Sequence, residues 1–107
     1  MKKDAAILIV EPDKQLATKL ASGFRNRGGH VRIAHTFQEA CEVIETESPD
    51  VILCATHLEK GNDGIAILNQ AQQQKRAIPV ILISSTADID ACKEAIKQGA
   101  FDYLVKP

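Results

Sequence analysis

Short, unbroken apolar runs alternate along this chain with segments whose apolar residues recur every three or four positions, and almost nothing lies between them. Ile7-Leu8-Ile9-Val10 and Val80-Ile81-Leu82-Ile83 have no polar residue, the mark of strands buried on both faces of a parallel sheet. Val51-Ile52-Leu53-Cys54-Ala55 is a third such run, launched from Ser48-Pro49-Asp50. Val31-Arg32-Ile33-Ala34 alternates apolar and polar, which suits a shorter strand nearer an edge, and Asp102-Tyr103-Leu104-Val105 reads as the last strand.

The intervening segments carry helical signals. From about Lys14 to Arg27, Leu16, Leu20 and Phe24 repeat at four-residue spacing, behind an N-capping Asp13 and ahead of a Gly28-Gly29 stop. Thr36-Phe37-Gln38-Glu39 is a capping box, opening a helix with Ala40, Val43 and Ile44 on one face. After a loop from His57 to Asn62, a third helix is expected from about Asp63 to Lys75, with Ile65, Leu68 and Ala71 inward. A fourth spans about Asp88 to Gln98, with Ala91, Cys92, Ala95 and Ile96 clustered and Gly99 ending it. Strict βα alternation with such short connections predicts a doubly wound α/β domain, a five-stranded parallel sheet with right-handed crossovers. Such a sheet needs helices on both faces. A fifth helix is expected where the sequence reaches Lys106-Pro107, so residues 1–107 read as one domain of a longer protein.

Composition narrows the function classes. At 107 residues the chain has room for a single core. A net charge of -1, with both signs mixed along the chain, supplies no basic stripe for phosphate backbones, so direct contact with nucleic acid is not expected. The first residues do not open a signal peptide, and no stretch approaches membrane-spanning length, so a cytoplasmic protein is expected. Cys41, Cys54 and Cys92 stand singly, without metal-ligand spacing, and read as reduced, packed thiols.

In an open α/β sheet the functional crevice lies outside the carboxyl ends of the strands. The residues there are Glu11, Pro12 and Asp13 after the first strand, Ala55, Thr56 and His57 at the third, Ser84 and Ser85 at the fourth, and Lys106 at the fifth. With Ile7 to Asp13, Pro49 to Leu53 and the ending Gly99-Ala100-Phe101-Asp102-Tyr103-Leu104-Val105-Lys106-Pro107, the chain resembles the receiver domain of two-component response regulators, and most of all those fused to sigma-54-dependent transcriptional activators.

The resemblance implies a flavodoxin-like sheet of order 2-1-3-4-5. It also implies a phosphoacceptor site: an acidic pair holding magnesium, an aspartate nucleophile, a hydroxyl and a lysine for the phosphoryl group, and an aromatic residue that turns inward. Ser84, Lys106 and Tyr103 match the last three. Pro12 replaces one metal-binding carboxylate, although Glu11 and Asp13 flank it, and Ala55 stands where the acceptor is expected. The loop lacks the usual proline at Glu59. These departures imply a degenerate receiver with a vestigial site of Ala55, Glu11, Asp13, Ser84 and Lys106, no catalytic residue, no metal-binding residue and no cofactor, magnesium binding being weak or absent. Its expected partners are proteins: a second copy in a homodimer, and an attached output domain in a phosphorelay signalling protein. Two other readings are a phosphorylatable parent whose acceptor was changed to Ala55, and a pseudo-receiver that senses a small molecule in the vacated crevice.

Overall fold

A computed structural model describes residues 5–58 and 63–106. The expectation for Glu59 lies outside the described residues, as does Pro107. Five strands alternate with four helices: β1 (Ala6–Val10), α1 (Lys14–Arg25), β2 (His30–Ala34), α2 (Phe37–Glu47), β3 (Val51–Ala55), α3 (Gly64–Gln72), β4 (Val80–Ser84), α4 (Ile89–Lys97) and β5 (Asp102–Val105). All strand pairs are parallel and the sheet order is β2-β1-β3-β4-β5, as the doubly wound reading expects.

Because side chains alternate across a strand, the apolar runs divide between two faces. Leu8, Val10, Ile52, Cys54, Val80 and Leu82 point toward one face and pack with Ala40 and Ile44 of α2, with Ile67, Leu68 and Ala71 of α3, and with Ala95 of α4. Ile7, Ile9, Leu53 and Ile83 point the other way, against Ala17 and Ala21 of α1. Alanines at the contacts let the helices approach closely. Each fully buried Leu or Ile contributes roughly 1.5–3 kcal/mol, so the central strands supply most of the hydrophobic stabilisation. At the β5 edge, Leu104 and Val105 remain about half exposed.

Local signals set most of the helix starts. Asp13, Asp63 and Asp88 each cap a helix through a carboxylate oxygen that accepts from the amide three residues on. The Thr36–Glu39 capping box forms in both directions.

Three expectations need correction. Helix α1 ends at Arg25 rather than Arg27, because Gly28, at φ +88°, closes a left-handed turn in which Phe24 O accepts from Gly29 N and Arg25 O from Gly28 N. Helix α3 stops at Gln72, not Lys75: the chain turns so that Ile78 enters the core, its amide bonding Ala71 O at 3.3 Å. That helix buries Gly64, Ile67, Leu68 and Ala71, and the half-buried Ile65 packs against the same core, as expected. In α4 only Ala95 is fully buried; Cys92 is half-buried, while Ala91 and Ile96 are exposed. This helix packs beside the edge strand β5, with Ala95 as its buried residue.

Candidate functional site

Register brings the strand ends together. Val10 of β1 lies opposite Cys54 of β3, Ala55 opposite Ile83 of β4, and Ser84 opposite Val105 of β5. The next residue in each case therefore comes out at the same end of the sheet, with Glu11 and Lys106 at the ends of β1 and β5, and Ala55 ending the strand between β1 and β4.

Glu11 is the organising group. It is only 4% exposed, and both carboxylate oxygens are engaged: Oε1 lies 2.8 Å from Lys106 Nζ, and Oε2 accepts from the Asp13 amide at 2.9 Å. Its carbonyl accepts from His35 Nδ1 at 2.9 Å, which requires that this nitrogen carry the ring proton. A buried charge without a partner would cost several kcal/mol, so the lysine and the amide together make the carboxylate tolerable there.

The other carboxylate, Asp13, is exposed and caps α1 through Leu16 N at 3.1 Å. Pro12 between them is exposed and has no amide hydrogen to give. Ala55 is buried, and its side chain has no oxygen or nitrogen. Behind it the Cys54 thiol donates to Ala55 O at 3.2 Å, and burial, reinforced by Glu11 and Asp63, pushes that thiol far above its ordinary pKa. It is a packed thiol and not a nucleophile.

Ser84, 2% exposed, is also satisfied locally. Its hydroxyl donates to Thr86 O at 2.9 Å and accepts from Thr86 N at 3.1 Å, closing the β4–α4 connection on itself. Its carbonyl takes the Lys106 amide at 2.7 Å. Tyr103 is half-buried, packed against the core under α2, α3 and α4.

The structure thus joins Glu11, Asp13, Ser84 and Lys106 around the end of β3, with Tyr103 set apart toward α4. His57, exposed, pairs with Asp63 across an isolated antiparallel bridge. No group of three or more His, Cys, Asp or Glu among the described residues is arranged to hold a metal ion. Sequence reasoning missed His35. Its place just after β2, the neighbour of β1, was the available signal.

Residues 7–107 match the family described as the response regulator receiver domain. The transcriptional regulatory protein ZraR of Escherichia coli K12 is 34% identical over 101 residues, covering 94% of this chain. The DNA-binding transcriptional regulator NtrC of Klebsiella pneumoniae is 34% identical over 99 residues, covering 92%. The matches take in only 23% and 21% of those two proteins, so the chain spans less than a quarter of either relative. A response regulator from Burkholderia pseudomallei, whose structure has a phosphorylated aspartic acid, a calcium ion and citrate, superposes with a TM-score of 0.86 at 28% identity, over 97% of this chain and 61% of that one. With the doubly wound sheet in the expected order and the family matched from β1 through Lys106, this chain belongs to the response regulator receiver domains.

Proposed function

We propose that this receiver domain does not take a phosphoryl group by aspartyl transfer, and that residues 1–107 act as a protein-contact module regulating an attached output domain. The observation that carries the reading is Ala55 at the end of β3 with Lys106 already paired to Glu11 at 2.8 Å. An acyl phosphate needs a carboxylate nucleophile beside a metal. An alanine supplies no such group, Pro12 removes a metal-binding carboxylate, and Asp13 spends an oxygen on its helix cap.

Kinship with the transcriptional regulators ZraR and NtrC, of which the chain spans less than a quarter, supports an attached transcriptional output domain as its partner; a cytoplasmic location and a second copy of the chain as a further partner complete the proposal. No described helix is long and apolar enough to cross a membrane. The test is intact-mass analysis after incubation with acetyl phosphate and magnesium. No phosphoryl adduct is expected, and a stoichiometric adduct on any residue would overturn the proposal.

A further inference from the structure

A half-enclosed cavity of about 240 Å³ lies between the start of α3, the face of α4, and strands β4 and β5. Its buried apolar wall includes Leu82, Gly64 and Ala95, and Ser84, Thr86 and Tyr103 add hydroxyl-bearing side chains. The volume falls under the roughly 300–1,000 Å³ of sites for drug-sized ligands, so it suits a molecule of about one ring.

The charge around it has one dominant sign. Asp63, Asp88 and Glu94 line the cavity, and no lysine or arginine does so among the described residues. Asp63 and Asp88 each use Oδ1 for a helix cap, and Glu94 accepts from Gln98 through Oε2. The opposing fields are smaller. The amino ends of α3 and α4 contribute roughly half a positive charge each, and His57 at most one more, against three carboxylates. A bare metal ion does not answer this arrangement, because no described cluster gathers three ligating side chains. An organic cation does, since its apolar body can lie on Leu82 and Ala95 while the ammonium sits near the rim carboxylates.

We propose that this cavity is a binding site for a small organic ammonium ion with an apolar body. The inference does not depend on whether the domain takes phosphate. An occupant would touch Ser84, Thr86 and Tyr103 together, and so tie β4, the approach to α4 and β5 into one rigid unit.

The probes are 2-phenylethylamine, neutral 2-phenylethanol and anionic phenylacetate, titrated into isotope-labelled protein and followed by amide chemical shifts. The amine should give saturable shifts centred on Thr86, Ala91 and Tyr103; the alcohol should bind more weakly and the acid not at all. Asp88→Asn keeps an amide-accepting cap and Glu94→Gln keeps the shape, so each should weaken the amine about threefold through lost charge alone. Ala91→Leu, which fills the cavity from an exposed helix position, should abolish binding whether or not the charge variants fold. Absence of saturable shifts, shifts centred elsewhere, equal binding of amine and acid, or unchanged binding in Ala91→Leu would each overturn the proposal.

Discussion

The Lys106 ammonium and the Glu11 carboxylate, from opposite ends of the chain, meet at 2.8 Å, with the glutamate buried and the lysine only partly exposed. Removing the lysine leaves a buried carboxylate whose remaining described side-chain partner is the Asp13 amide. Lys106→Ala should therefore destabilise the domain by about 2 kcal/mol, less than a fully buried pair because the lysine side chain is still partly exposed. Adding Glu11→Gln should recover part of that loss, since no unpaired charge then stays inside. Urea melts of the two single variants and the double variant measure both effects; a double variant no more stable than Lys106→Ala would contradict the account.

Ala55→Asp tests the crevice from the other side. A new carboxylate at a buried position enters a neighbourhood that already contains Glu11, and it competes for the one lysine paired there. In EDTA the variant should be less stable by about 1 kcal/mol. Magnesium should shrink the deficit by screening the added charge. Equal or greater stability in EDTA would show that these carboxylates do not crowd one another.

Gly64 is a packing requirement. A Cβ there would lie 2.7 Å from Leu82 Cδ2 and 2.9 Å from the Ala55 carbonyl oxygen, closer than atoms tolerate. Both neighbours are buried, and one is backbone in the central sheet. Gly64→Ala should cost about 2 kcal/mol, in the range for overpacked cores, although alanine is the better helix former. Thermal unfolding compared with the unhindered Gly23→Ala is the appropriate measurement, because Gly23 has open space around it.

Glu39 carries a pH signature. The His35 amide above all, with the Thr36 amide and hydroxyl adding to it, holds its carboxyl below the ordinary value of 4.5, against an opposing desolvation that outweighs either Thr36 contribution alone. With the folded pKa depressed, the capping stabilisation is fully present above about pH 4.5 and is lost as pH falls through the lower folded value. Glu39→Gln preserves a capping box without a titrating group. The stability difference between wild type and this variant should therefore narrow on acidification. A difference that stays constant from pH 6 to pH 3 would remove the carboxylate from the explanation.

The sheet was legible because its strands are written in apolar runs that no amphipathic helix can accommodate, and the capping signals at Asp13 and Thr36 located their helix starts. Helix ends were less legible. Ile78 pulled the chain out of α3 early, and a lone isoleucine in a polar stretch does not announce that it will be buried. The inward face of α3 read from Ile65, Leu68 and Ala71 is incomplete: Gly64 and Ile67 are buried beside Leu68 and Ala71, while Ile65 packs against the same core from its margin. At the strand ends the sequence showed which residues gather at one end of the sheet but not how they pair. Glu11 and Lys106 become partners only through a strand order that no local pattern encodes, and the Ser84 hydroxyl turns to Thr86 by a local bond that competes with any role facing the crevice.

The position of β1 between β2 and β3 also bears on how a nascent chain can assemble. The first strand of this domain, β1, has neighbours on both sides, β2 and β3. Once β2 has joined one side of it, β3 takes the other, β4 then adds to β3, and β5 to β4. From β3 onward the sheet grows in a single direction, and each strand leaving the ribosome meets a template that has already been made. Domains commonly fold as units during synthesis. In this one, the order of translation and the order of hydrogen bonding coincide from the third strand to the fifth.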